Sequence, residues 1–272
     1  MTNAAGTDAV GIVGCGAIGR ALIRAGDTGD LGVPVAGVTS RTSSTAREFL
    51  STLDVAPPYL ELPELVERSS LLVETAGGHV VPALAEAAFG AGKALMVISI
   101  GALLEYPEIM EKARATGCRL YAPSGAIAGL DGIKSACQGR VDRVEMVSRK
   151  PVEALEGAPY LVENEIPVAR FTEAQEVFFG PAREAVRGFP SNLNVSAAVS
   201  LAGIGPDRTM VRIVADPSLS RNCHDITVEG EFGLLRVHIE NIPSENPKTG
   251  RLTALSIIRS VRDAVDPVRI GT

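Results

Sequence analysis

The sequence predicts an α/β protein: a doubly wound parallel sheet followed by a smaller α+β domain with a mixed or antiparallel sheet. Three observations carry this expectation. Up to about residue 123, short β-branched runs alternate with amphipathic helical stretches, the pattern of a parallel sheet covered on both faces. A glycine-interrupted turn, GCGAIG, follows the first run and opens the first helix. Beyond residue 124 the runs alternate apolar and polar residues instead, as strands with one wet face do.

Each element follows from its own text. AVGIVG predicts a buried strand and GRALIRAGDTG the helix after it. VPVAGVTSR, SSLLVETAG, KALMVISIGAL and CRLYAP predict further strands, separated by helices in STAREFLSTL, HVVPALAEAAFGAG and YPEIMEKARATG. PSGAIAGLDGIKSA reads as a loop entering a helix. RVDRVEMVSRK, TMVRIVAD and HDITVEGEFGLLRVHIEN then supply the strands of a second sheet. Its apolar stripe needs a cover, either helices read in FTEAQEVFFGPAREAVRGF and NLNVSAAVSLAGI or a second subunit. NPKTGRLTALSIIRSVRDAV predicts a last helix near 249–264, whose packing partner is open at this point. The domain division falls at 1–123 and 124–246.

Composition narrows the function class. With 272 residues, 46% of them hydrophobic, the chain has enough apolar material for two modest domains. The net charge of −6 and the scattered basic residues exclude the electrostatic footprint of a nucleic-acid binder, so a small-molecule partner is expected. MTNAAGTDAV lacks a basic segment leading into an apolar one, and no apolar run approaches the ~20 residues that span a bilayer. A cytoplasmic location without membrane partners is the resulting expectation. The four cysteines, Cys15, Cys118, Cys137 and Cys223, include no CxxC pair, which argues for reduced thiols and against a disulfide framework or a metal site.

The glycine loop is the first specific motif. G-x-G-x-x-G after a strand and at the head of a helix is the Rossmann-type dinucleotide fingerprint. Gly14 permits the tight turn, Gly16 lets the backbone approach a pyrophosphate, and Gly19 lets the helix pack on the strand. Ala17 and Ile18 open the helix whose amides and partial positive charge face the phosphates. An acid at the end of the second strand would bind a ribose hydroxyl and repel a 2′-phosphate. Here the strand ends Thr39, Ser40, Arg41, Thr42. Arg41 is either a solvated residue or a phosphate partner, and this favours NADP with NAD also usable.

Three histidines are candidates for proton transfer. His79 stands at a helix head after VETAGG, as a helix-start residue or a neighbour of a nicotinamide ribose. His238 alternates with Val237 and Ile239, as a solvent-facing or packing residue would. His224, in RNCHDI, stands where a loop becomes a strand, with Asp225 and Asn222 near enough in sequence to orient an imidazole. Cys137 and Cys223 are possible nucleophiles without an evident activating environment. Asn192 and Asn194 precede a helix, either as caps or as partners of a carboxamide. Lys134, Lys248 and the amides near Ser124 and Gly125 are candidate anion ligands.

GCGAIG, VISIGAL, PSGAIAGLDGIKSA, FPSNLNVSAAVSLAGIG, RNCHDITVEGEFG and NPKTGRLTALSIIRSVR, in this order, resemble the L-aspartate dehydrogenase family. The resemblance implies NAD(P)-dependent oxidative deamination of L-aspartate to iminoaspartate, which hydrolyses to oxaloacetate and ammonia or enters quinolinate and NAD synthesis. It implies a homodimer, with 124–246 as the substrate-binding and dimerisation domain. The Rossmann domain of 1–123 is completed in this picture by a C-terminal helix within 247–272. It places the catalytic histidine at His224 and cofactor contacts on the glycine loop, Ala126 and Asn192. Many members carry an acid after the second strand, where this chain has Ser40 and Arg41. Two other readings stand beside it: a related reductase, dihydrodipicolinate-reductase-like or homoserine-dehydrogenase-like, and a non-catalytic NAD(P)-sensing module.

Overall fold

In the structure, a computed structural model that describes residues 9–190, 194–242, 250–268 and 270–271, the chain divides into two units. The first is Met1–Pro123 with Ala254–Arg269, and the second is Ser124–Thr253 with Ile270–Thr272.

The first unit begins with β1 (Val10–Val13), α1 (Ala17–Asp27), β2 (Val35–Thr39), α2 (Ser43–Leu50) and α3 (Leu62–Arg68). It continues through β3 (Leu71–Glu74), α4 (Val81–Gly90), β4 (Ala94–Val97), α5 (Ala102–Glu105), α6 (Glu108–Thr116) and β5 (Leu120–Tyr121). The strands are parallel in the order β2-β1-β3-β4-β5. All four residues of β1 and of β3 are buried, which is why they read as unbroken apolar runs. Beyond β2 the sheet has a rudimentary further position, because Val38 bridges Tyr59 in parallel. The amide of Val38 donates to Pro58 O at 2.9 Å and that of Leu60 to Val38 O at 2.9 Å. Counting that bridge as a strand, the chain order across the sheet becomes 3-2-1-4-5-6, the dinucleotide-binding order.

The second unit contains α7 (Leu130–Ala136), β6 (Val141–Lys150), α8 (Val152–Leu155), α9 (Pro159–Glu163), β7 (Gln175–Pro181) and α10 (Ala182–Gly188). After these come α11 (Asn194–Ala202), β8 (Thr209–Ala215), β9 (Asn222–Gly230) and β10 (Gly233–Asn241). The sheet order is β10-β9-β6-β8-β7, mixed because β6 and β8 are parallel while the other neighbours are antiparallel. On its inner face Val144, Met146, Val211, Ile213, Ile226 and Val228 are buried. Helices α10 and α11 pack on β8, and α7 packs on α11, so helices cover much of this stripe.

One expectation is corrected here. FTEAQEVFFGPAREAVRGF is not helical throughout: its first half forms β7, and only the part after Pro181 is helix. The branched and aromatic run EVFF suits a pleated edge strand. Phe178 turns inward against Tyr160, with ring centroids 5.1 Å apart, while Phe179 faces outward under Arg212. Pro181, which has no N–H to give a ladder, ends the strand and caps α10.

The last helix, α12 (Arg251–Val265), carries Ile257, Val261 and Ala264 at helical spacing into the core of the first unit, with Leu22, Ile23, Leu31 and Leu50. A chain end thus completes the unit in which the chain began.

Candidate functional site

In the first unit the glycines set the local geometry. Gly14 has φ 109°, and a Cβ there would lie 2.8 Å from the backbone carbon of Thr75. At Gly19 a Cβ would lie 2.2 Å from Gly14 O, so α1 approaches the strand only because that side chain is missing. A Cβ on Gly16, by contrast, meets nothing within 4 Å. That space opens on the N-terminus of α1, where free amides and the helix dipole favour an anion.

A cavity of about 710 Å³ runs from this turn along the ends of β2 and β3. Gly14, Gly16, Ser40, Arg41, Thr75 and His79 are among its lining residues, and among the described residues the lining contains no acid. Ala17 and Ile18 form the first turn of α1, where the Ile18 side chain packs on the core, leaving its backbone to face a ligand. Tyr59 Oη donates to Ser40 O at 2.8 Å, and the Arg47 guanidinium sits 4.5 Å over the Tyr59 ring. The strand-end loop is thereby tied to the rudimentary strand beside it.

Sequence reasoning missed Glu74. It is fully buried at the end of β3, where its carboxylate accepts hydrogen bonds from the amides of Gly77 (2.7 Å), Ile98 (3.2 Å) and Ser99 (2.9 Å) and from the Ser99 hydroxyl (3.1 Å). One side chain fixes the loops after β3 and β4. The lone acid in an otherwise apolar strand was the available signal.

In the second unit, polar side chains gather at one end of the inner sheet face. Ser148 and Lys150 on β6, Asn222 and His224 on β9, and Asn241 on β10 are all buried. Strand alternation places them together: Ser148 is in register with His224, and Asn222 with Asn241. His224 Nδ1 lies 3.0 Å from Ser148 Oγ. Burial, and after it the charge on Lys150, push the imidazole pKa down to about 3. Lys150 Nζ donates to Asn222 Oδ1 at 3.5 Å, and burial alone pushes its pKa down to about 8. Asn241 Nδ2 donates to Ala126 O at 2.7 Å, which ties the loop holding Ser124, Gly125 (φ 62°) and Ala126 to this end of the sheet.

The expected orientation of His224 by Asp225 is corrected. Alternation turns Asp225 to the opposite face, where its carboxylate lies 2.6 Å from His238 Nδ1. That contact, with a second to Glu240, raises the pKa of the exposed His238. Ser148 takes the place foreseen for Asp225. Lys150 was also missed, although Val144, Met146, Ser148 and Lys150 follow a period of two and set the lysine on the apolar side of its strand.

Lys134 is exposed on α7, and Asn194 opens α11. Asn192 and Lys248 lie outside the described residues. Burial raises the thiol pKa of Cys137 and of Cys223, the opposite of what an activated nucleophile requires. Among the described residues no cluster of His, Cys, Asp and Glu is able to hold a metal ion, and no helix is long and apolar enough to cross a membrane.

Comparison with known proteins returns related matches for both units. A family model described as aspartate dehydrogenase, C-terminal, matches residues 131–264, and one described as homoserine dehydrogenase, NAD binding domain, matches residues 14–123. The sequence is similar to L-aspartate dehydrogenase 3 of Bordetella bronchiseptica, 44% identical over 264 residues that cover 97% of each chain. It is also similar to L-aspartate dehydrogenase of Methanocella arvoryzae, 43% identical over 97% of this chain and 99% of that one. Among solved structures, aspartate dehydrogenase from Thermotoga maritima superposes with a TM-score of 0.74 at 25% identity, covering 97% of this chain and 99% of the other. A homoserine dehydrogenase from Thiobacillus denitrificans shares the fold at a TM-score of 0.59 and 15% identity, covering 94% of this chain and 73% of that one.

Proposed function

Because the chain belongs to the aspartate dehydrogenase family, we propose that it catalyses the NAD(P)-dependent oxidative deamination of L-aspartate. The products are iminoaspartate and, after hydrolysis, oxaloacetate and ammonia. The observation that carries this reading beyond family membership is the pairing of His224 with Ser148 in a buried polar cluster that includes a cation.

When bound, the dinucleotide would supply the acceptor for the hydride leaving Cα of the substrate. The residues that would hold the dinucleotide are Gly14, Gly16 and Gly19 with the amides of Ala17 and Ile18, together with Ser40, Arg41, Ala126, Asn192 and Asn194. Gly16 fits the role because a side chain there would occupy open space rather than protein. Arg41, in a lining without acids, supports a preference for NADP over NAD, since a 2′-phosphate carries nearly two negative charges and meets no like charge.

His224 acts on the proton inventory of the amine. An amine must be neutral before it pushes electrons into a forming C=N bond, and a buried imidazole held neutral has a free lone pair to take its proton. With Nδ1–H donating to Ser148 Oγ, Nε2 carries that lone pair. Once that proton has passed to solvent, the same nitrogen takes a proton from the water that attacks the imine carbon and returns it to the departing ammonia. Ser124 and Gly125 offer donors to the substrate, and Lys134 and Lys248 complete the candidate cations. A homodimer formed through the second unit belongs to this reading, and sedimentation equilibrium tests it.

The decisive experiment is turnover of oxaloacetate and ammonia with NADPH, measured for wild type and His224→Ala. The expected loss is ~10²- to 10⁴-fold in kcat, the usual contribution of a positioned acid/base group, with NADPH affinity unchanged. No turnover by the wild type removes the function, and unchanged turnover in the variant removes His224 from the mechanism. The homoserine-dehydrogenase-like reductase and the non-catalytic sensing module both predict the first outcome, and NADPH-dependent turnover of the reductase's own substrate separates the two.

A further inference from the structure

We propose that Lys150 is the anion subsite of this active centre: its ammonium takes one carboxylate of the dicarboxylate substrate while Asn222 and His224 flank the same ligand. The inference rests on the functional reading above, and it assigns a residue that neither the motifs nor the family resemblance singled out.

The argument starts from an imbalance of charge. Lys150 is only 2% exposed, and among the described residues its partner is a neutral amide, Asn222 Oδ1, at the outer limit of hydrogen bonding, 3.5 Å. Buried cations are normally matched by an anion, because an ammonium taken out of water without one costs several kcal/mol. No described neighbour supplies that anion. From β9 the facing groups are Asn222 and His224, from β8 Ala215, and from β6 itself Ser148. Asp216, which follows Ala215, turns Oδ1 to the amide and hydroxyl of Ser218 and, among the described residues, forms no ion pair with Lys150. Helix α11 carries no ionisable residue. On α10, Arg183 pairs with Asp207, while Glu184 and Arg187 are exposed. Asp131 and Lys134 of α7 are exposed as well.

Position makes the imbalance useful. Lys150 is the last residue of β6, Asn222 the first of β9 and Asn241 the last of β10, so the cluster lies at the end of the sheet beside the loops. A carboxylate entering there supplies the missing counter-charge and leaves its neighbouring carbon beside the imidazole. Burial is the larger cause of the low His224 pKa and the Lys150 charge the smaller; the carboxylate offsets the smaller one, so the base strengthens when the dianionic substrate is in place. A monoanionic analogue that leaves Lys150 unmatched lacks this effect.

The test uses the full-length protein saturated with NADPH and succinate as the probe, a dicarboxylate with no reacting centre. Succinate affinity is measured for wild type, Lys150→Met and Lys150→Arg between pH 7 and 9.5. Wild-type affinity is expected to fall as pH rises past about 8, where the free ammonium of Lys150 loses its proton. Lys150→Met is expected to bind succinate at least ~30-fold more weakly, the low end for removing one partner of a buried charge pair. Lys150→Arg, charged throughout, should show no decline with pH. Succinate binding by Lys150→Met within about threefold of wild type overturns the assignment. Should neither variant fold, a wild-type affinity that stays flat from pH 7 to 9.5 overturns it too. Wild-type turnover of oxaloacetate is measured beside these, so failure of the dehydrogenase reading and failure of the Lys150 subsite give different results.

Discussion

Replacing Lys150 with methionine is expected to stabilise the protein at neutral pH. The lysine pKa lies at about 8 in the fold against its ordinary 10.5, so the unfolded chain binds that proton more tightly. Lysine therefore opposes folding fully below pH 8, progressively less between 8 and 10.5, and not at all above. At 1.36 kcal/mol per unit, the opposition amounts to about 3 kcal/mol at pH 7 and about 1 kcal/mol at pH 10. Methionine removes that cost and fills a similar volume, while Asn222 Oδ1 loses its donor, which costs about 1 kcal/mol at either pH. The net expectation is a gain of about 2 kcal/mol at pH 7, worth ~4–8 °C in Tm for a domain of this size, and almost none at pH 10. Urea unfolding of both proteins at the two pH values measures it. A variant less stable than wild type at pH 7, or an advantage that persists undiminished at pH 10, refutes the claim that this is a buried cation without a counter-anion. Succinate should reverse the order, by stabilising wild type and leaving the variant unmoved.

Three further outcomes follow from single contacts. Gly16→Ala should fold normally and lose dinucleotide affinity, whereas Gly19→Ala, whose Cβ would lie 2.2 Å from Gly14 O, should lower thermal stability before any ligand is added; equal melting temperatures would refute the distinction. Arg41→Ala should weaken NADPH selectively, and an equal loss with NADH in a fluorescence titration would mean that Arg41 does not read the phosphate. Glu74→Gln replaces an acceptor of four hydrogen bonds by a group with one donor end, leaving at least one buried amide unmatched. A loss of ~2–3 kcal/mol is expected in denaturant unfolding, and a change below about 0.5 kcal/mol would show that water replaces the carboxylate without cost.

Much of the molecule was legible before folding. Periodicity distinguishes the buried parallel strands from the half-wet ones, because a strand covered on both faces has no polar register to display. GCGAIG carries its own backbone requirement: Gly14 at φ 109° and Gly19 against a carbonyl are demands that only glycine meets, so the residues announce the geometry. The place of Ser40 and Arg41 at the end of β2 is also readable, because a strand end is local in sequence, while the cavity they line draws Thr75 and His79 from beyond β3. Other features depend on which chains lie side by side. EVFF became a strand rather than the start of a helix because β8 offered it a ladder. His224 turned to Ser148 and not to its neighbour Asp225, because alternation separates adjacent residues by a whole sheet thickness and brings together residues 76 apart. The period of two aligns Lys150 with Val144 and Met146, but at the end of a strand the text does not show that this face is covered. Only the covering of that sheet face makes it a buried charge, because the cost of desolvation belongs to the surroundings and is written nowhere in the residue itself.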